Sequence, residues 1–212
     1  LEDDIANAYK TVINELYNEG LRTLQIDDCT WGCLVDDNFI ASFIEKSDRD
    51  KEVIRREFAE RFLNINNRVF QNNPEDLVIN THVCRGNYAS TWFGQGGYDK
   101  IADELFGKED VNAYYLEFDT ERAGTFESLA KISGDKKVVL GLITSKNPTS
   151  EEKETVIARI KEASKYVPLD RLYLSPQCGF ASTEEGNHLT EEQQWAKLRF
   201  IKEVADEVWG KN

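Results

Sequence analysis

Methionine is missing altogether from this 212-residue chain, although Leu, Ile, Val and Phe are plentiful. The first residue, Leu1, already falls inside a helical pattern. A start inside a helix is expected of a portion of a longer protein. Positive charge is also scarce: 26 Lys and Arg stand against 39 Asp and Glu, a net charge of -13. That balance argues against nucleic acid or an anionic membrane surface as the main partner. No apolar run is long enough to span a bilayer, and the first residues do not read as a signal peptide. Four cysteines (Cys29, Cys33, Cys84, Cys178) do not suggest a disulfide scaffold in a chain this size. A reduced, cytoplasmic setting is expected. No G-x-G-x-x-G fingerprint follows a strand, and Gly94-Gln95-Gly96-Gly97 reads instead as a flexible lid.

What is present is the composition of a soluble globular enzyme with one sizeable core, 40% hydrophobic and 31% charged. Residues 3 to 19 carry Ile5, Ala8, Tyr9, Val12, Ile13, Leu16 and Tyr17 at helical spacing, with Gly20 as the stop. A strand runs from Leu21 to Ile26 and ends in Asp27-Asp28. A loop with Cys29, Trp31 and Cys33 follows. Residues 48 to 71 read as a long helix, with Val53, Ile54, Phe58, Phe62, Ile65 and Val69 inward. Strands are predicted at 77–84, 113–118, 137–143 and 171–175. Helical segments separate them at 98–106, 124–132, from Ser150 as N-cap to about Tyr166, and at 191–208. Strands alternating with helices imply parallel β/α units. Ligand-type residues gather after the strands, the face that carries the active site in a (β/α)8 TIM-type barrel. Five strands cannot close such a barrel. The expectation is therefore a single barrel domain over residues 1–212, the C-terminal five β/α units, with the N-terminal units missing.

The stretch Asn80-Thr81-His82-Val83-Cys84-Arg85-Gly86 organises the chemistry. His82 and Cys84 are two apart, so on a strand both point to one face. An imidazole beside a thiolate suits zinc. Alone the pair is a weak signal, and either cysteine could be a small buried hydrophobe. Glu117 and Cys178, at two other strand ends, supply the missing ligand types and turn the balance toward a metal set. An all-protein site of four ligands fits a structural zinc. A catalytic zinc would need one ligand, Glu117, to give way to an incoming thiol. A zinc hydrolase is disfavoured by two thiolates and the lack of a general base. Asp27 suits the cationic amine of a small substrate or, equally, a structural salt bridge. Cys29 and Cys33 read as structural, and His188 as solvent-exposed. Trp31, Tyr88, Trp92 and Phe93 could line a pocket for a flat ligand or simply pack under long loops.

These residues carry a resemblance. His82-x-Cys84, Glu117 and Ser175-Pro176-Gln177-Cys178-Gly179 resemble the zinc motifs of the cobalamin-independent methionine synthase family, in its C-terminal catalytic barrel. Leu24-Gln25-Ile26-Asp27-Asp28 is similar to that family's Ile-Gln-x-Asp-Glu strand. His82-Val83-Cys84-Arg85-Gly86-Asn87, Cys178-Gly179-Phe180-Ala181-Ser182 and Gln193-Gln194-Trp195-Ala196-Lys197-Leu198 resemble most the short, single-barrel bacterial members known as methionine synthase II-like. The resemblance implies zinc held by His82, Cys84, Glu117 and Cys178, and methyl transfer to a thiol, homocysteine, giving methionine. Asp27 would hold the amino group of homocysteine. The methyl donor implied is methyltetrahydrofolate. However, where the family has a histidine in an Ile-His-Ser segment, associated with protonating the departing folate, this chain has Ile143-Thr144-Ser145. A methylated corrinoid donor, or a different thiol acceptor, stays open.

Overall fold

The computed structural model describes residues 1–44 and 48–210. Five strands form one parallel sheet: β1 (Thr23–Asp27), β2 (Val78–Val83), β3 (Ala113–Glu117), β4 (Lys137–Ile143) and β5 (Leu172–Pro176). They lie side by side in chain order, each pairing only with its sequential neighbours. Sequential parallel order with helical crossovers is the arc of a (β/α)8 barrel, here its C-terminal half. β2 to β4 are nearly continuously buried; β4 is apolar after its first residue, whereas β2 carries Asn80, Thr81 and His82. β1 and β5 are the free edges of the arc and are less buried, β1 alternating between exposed and half-buried positions.

The helices are α1 (Glu2–Asn18), α2 (Thr30–Leu34), α3 (Asp37–Ile44), α4 (Lys51–Phe70), α5 (Ala102–Lys108), α6 (Lys153–Ala163) and α7 (Glu191–Trp209). Asp50 caps α4 by accepting from the Glu52 and Val53 amides. Thr190 and Gln193 close a reciprocal capping box on α7. Three-residue 3-10 turns fill Tyr98–Lys100, Glu121–Ala123 and Leu169–Arg171, and a longer one covers Phe126–Lys131. Among the described residues no helix is long and apolar enough to cross a membrane.

The strands match the sequence expectation to within two residues, and β4 matches it fully. Several expectations fail. The loop expected after β1 holds α2 and α3. They fold because Trp31 and Leu34 are buried and Asp36 accepts the Asn38 and Phe39 amides at the head of α3. Helices of five and eight residues are too short to display a full apolar period. Ser150 does not cap α6. That helix starts at Lys153, after Glu152, without a side-chain cap. Glu151 is drawn away instead, to the Thr144 amide (2.7 Å) and Lys197 Nζ (3.2 Å). On α4 the expected inward Val53 is 47% exposed, whereas Arg55 is buried. Arg55 donates to the Leu34 carbonyl and pairs with Asp37 and Glu52. On α1 only Ala6 and Ile13 are buried, and Ile5, Tyr9, Val12 and Leu16 face outward.

The glycine-rich stretch expected as a lid is tied down. Phe93 and Gly94 donate to the Arg85 carbonyl, Gln95 to Asp36 and Gly96 to the Arg122 carbonyl. Gly96, at φ +136, lies so close to Val35 that a Cβ would fall 2.2 Å from its carbonyl oxygen.

Candidate metal centre

The C-terminal ends of β2, β3 and β5 meet at one point. β2 delivers His82 as its penultimate residue, and Cys84 follows the strand directly. β3 ends on Glu117, and Cys178 lies two residues past β5. One ligand atom from each of these four residues lies within 4.8 Å of the other three. The two sulfurs are 4.0 Å apart, and His82 Nε2 is 3.9 Å from Glu117 Oε1. Bonds of about 2.0–2.3 Å to a tetrahedral zinc would set neighbouring ligands about 3.3–3.8 Å apart. The two closest pairs are within a few tenths of an ångström of that spacing, and the widest would have to close by about 1 Å.

His82 is poised for this role. Its Nδ1 lies 3.1 Å from the Tyr115 carbonyl, which can only accept, so Nδ1 carries the proton and Nε2 keeps its lone pair. Nε2 is buried with no hydrogen-bond partner. A bare imidazole nitrogen turned toward two sulfurs and a carboxylate is a feature a metal would explain. A backbone carbonyl orienting a ligating histidine through its other nitrogen is a common supporting arrangement.

Glu117 has no exposed surface. The Arg85 amide donates to its Oε1 at 2.7 Å, and Arg122 (2.8 Å) and Gln177 (3.0 Å) donate to its Oε2. Arg122 also pairs with Asp119, and its guanidinium lies over the Trp92 ring. Thr144 donates to Gln177 Oε1 at 2.7 Å and so turns the amide nitrogen of Gln177 toward Glu117. No sequence pattern marks Arg122, Gln177 or Thr144 for this supporting role; Gln177 reaches Glu117 and Thr144 across distant segments.

The two half-buried thiols lie side by side, 4.0 Å apart. The Cys84 thiol is pushed up as donor to Cys178, and Cys178 is pushed down as acceptor, with His82 assisting. Burial would push the His82 imidazole down, but the neighbouring Cys178 sulfur outweighs it and the net direction is up. Two sulfurs and a carboxylate facing a bare imidazole nitrogen make a pocket whose negative charge a divalent cation would offset.

Asp27 pairs in register with His82 across β1 and β2, so both side chains lie on the concave face of the sheet. Burial pushes the Asp27 carboxyl up, and His82 pulls it back. Asp28 points the other way, accepting from the Thr30 amide and hydroxyl and from Asn66. Cys29 is exposed, Cys33 is half-buried and His188 is exposed; none joins the cluster. Trp31 is fully buried and donates to Glu109, whereas Tyr88, Trp92 and Phe93 stand 44–58% exposed near the mouth. A cavity of about 820 Å³ opens at the opposite ends of the strands, among Asn80, Asn112, Tyr115, Lys137 and Tyr173, away from this chemistry.

Comparison with known proteins agrees with this geometry. A family model described as "Cobalamin-independent synthase, Catalytic domain" matches residues 2–207. Two uncharacterized Bacillus subtilis proteins, YxjG and YxjH, are each 45% identical, over 98% and 97% of this chain and 54% of their own lengths. A Listeria monocytogenes protein, described as a candidate vitamin-B12 independent methionine synthase, superposes with a TM-score of 0.74 at 37% identity. That match covers 99% of this chain and 55% of the Listeria chain. The chain thus spans about half the length of the relatives it matches.

Proposed function

The chain belongs to the cobalamin-independent synthase family, within the part described as its catalytic domain, and from that premise we propose that it is the metal-bearing portion of a zinc-dependent methyltransferase acting on a thiol. The acceptor is homocysteine and the product methionine. Residues 1–212 belong to one barrel domain whose remaining β/α units lie outside this sequence. The observation that carries the reading is the convergence of His82 Nε2, two sulfurs and a carboxylate within 4.8 Å.

His82, Cys84, Glu117 and Cys178 would hold the zinc, which supplies deprotonation of a thiol at neutral pH and so a strong nucleophile. Glu117 is the ligand best able to step aside. The Arg85 amide, Arg122 and Gln177 would keep its carboxylate satisfied when a thiolate takes its place. Exchanging one anionic ligand for another leaves the charge of the centre unchanged. Asp27, on the same face as His82, holds the amino group of the acceptor and orients its sulfur. The sulfur–carbon bond then forms as the donor–methyl bond breaks, and the electron pair leaves with the donor.

A specific observation bears on the donor. Thr144 stands where the family that the sequence resembles has the histidine of its Ile-His-Ser segment, and its hydroxyl is committed to Gln177. A threonine is too weak an acid to protonate a departing folate amine. This favours a donor whose leaving group departs without a proton, such as a methylated corrinoid, over methyltetrahydrofolate.

Zinc-edge X-ray absorption with and without L-homocysteine tests the reading. Replacement of an oxygen neighbour by a third sulfur is the expected result. Bound zinc with an unchanged shell would mean a structural metal or a different acceptor. Absence of zinc with all four ligands intact would overturn the proposal.

A further inference from the structure

The loops bearing the two cysteines are joined by a set of polar side chains that lies outside the four ligands. Asn87, three residues after Cys84, donates from Nδ2 to the Gly179 carbonyl (2.7 Å) and to Ser182 Oγ (2.6 Å), both in the Cys178 loop. Its Oδ1 accepts from Lys146 Nζ (2.7 Å) and from Asn187 Nδ2 (2.9 Å). Lys146, in the loop after β4, also donates to the Gly86 carbonyl at 3.0 Å. Asn187 donates to the Ser145 carbonyl (2.9 Å) and accepts from the Ser90 amide (2.9 Å). Three loops, after β2, β4 and β5, are thereby locked to one another.

The bonds end at the sulfurs. The Gly86 amide lies 3.4 Å from Cys84 Sγ, and the Ser182 hydroxyl 3.9 Å from Cys178 Sγ. Gly86 sits at φ +93, and a Cβ there would fall 2.6 Å from the Phe93 nitrogen, so its placement depends on glycine. Because Asn87 donates to Ser182 Oγ, the serine's own proton is free to turn toward Cys178. Lys146 is 7% exposed, and its ammonium bonds the neutral oxygens of Gly86 and Asn87. Burying a cation on neutral partners is expensive unless opposite charge lies near. A zinc ion with two thiolates and a carboxylate carries a net charge of about -1, which the ammonium offsets.

We propose that Asn87, Lys146 and Asn187 are positioning residues of the metal centre, which fix the spacing of the Cys84 and Cys178 sulfurs and aim the Gly86 and Ser182 donors at them. This inference rests on the metal reading above and deepens it. These residues lie outside the four ligand positions and act through the two loops. Hydrogen bonds to a ligating sulfur draw charge from it, so the set also tunes how strongly the centre activates a thiol.

The test uses the full chain loaded with cobalt(II), whose sulfur-to-metal absorption reports each thiolate, and measures zinc affinity by chelator competition. Asn87→Ala is expected to weaken zinc binding about 10–100-fold, the range usual for supporting residues of metal sites, and to shift and weaken the charge-transfer bands. Ser182→Ala, at an exposed position, removes the donor to Cys178 and one of the two acceptors of Asn87 but leaves the rest of the clamp, so it guards against a folding defect in the first variant. It is expected to shift the bands with a smaller loss of affinity. Lys146→Arg is expected to recover more affinity than Lys146→Met, since it restores the charge. Wild-type affinity and bands in both Asn87→Ala and Ser182→Ala would overturn the clamp while leaving the metal reading intact. Failure of the unsubstituted chain to bind either ion would overturn both.

Discussion

Glu109 has no exposed surface, receives hydrogen bonds from Asn66 (2.8 Å) and Trp31 (3.3 Å) on Oε1, and leaves Oε2 unpartnered. Burial pushes its carboxyl up to about 8. The folded chain therefore favours the neutral acid, whereas the unfolded chain ionises at the ordinary value of about 4.3. Below that value the group costs nothing. As pH rises from there to about 8, ionisation favours the unfolded state and stability falls, by something on the order of a few kcal/mol. Urea titrations across this range should show that fall, and Glu109→Gln should flatten it and be the more stable protein at pH 8. At the metal centre, Cys84→Ser and His82→Gln are expected to abolish stoichiometric zinc, read by elemental analysis. Asp27→Asn is expected to keep its zinc and raise KM for the thiol. Equal zinc loss in Asp27→Asn would remove its role as a substrate contact.

Two elements translate sequence chemistry into the shape of the site. α7 is secured by the Thr190–Gln193 box, so Thr190→Ala should cost about 1 kcal/mol, whereas Ser150→Ala, at a position the sequence marks as a cap and the structure does not use, should be close to neutral. Denaturant midpoints of the two variants separate the alternatives. α2 acts directly on the centre. Gly32 lies against the chain after β2, where a Cβ would fall 2.2 Å from the Cys84 carbonyl oxygen. Gly32→Ala must therefore displace Cys84, and weaker zinc binding is expected even though residue 32 carries no ligand. Unchanged affinity in a folded Gly32→Ala protein would show that this packing does not hold Cys84 in place.

For the molecule as a whole, the open arc leaves apolar surface uncovered. Ile5, Tyr9, Val12 and Leu16 on α1 are 37–52% exposed, and Val78 and Tyr173 are also open to solvent. The 212-residue chain by itself is expected to bind a hydrophobic dye and to self-associate at high concentration. Replacing Val12 and Leu16 by Lys should reduce both, measured by fluorescence and sedimentation. A monomeric chain without dye binding would mean that this face is covered in solution. The exposed stripe also explains why helical spacing identified α1 but not its burial. Periodicity reports which residues share a face, whereas burial depends on whether another element covers it.

The sequence alone determined the strand–helix rhythm, the α/β class and the four candidate ligand residues. Strand patterns are local, and a His-x-Cys pair on a strand must share a face. The short helices α2 and α3 were illegible because tertiary burial of Trp31 and Leu34 stabilises them, rather than any complete apolar period. The carboxylate partners Arg122 and Gln177, the buried acid Glu109 and the clamp around Asn87 were equally hidden. Asn87 meets Ser182 across 95 residues of sequence, and Gln177 meets Glu117 across 60. No local pattern encodes such a meeting. Only the parallel order of the strands, which brings their C-terminal ends to one side, decides it.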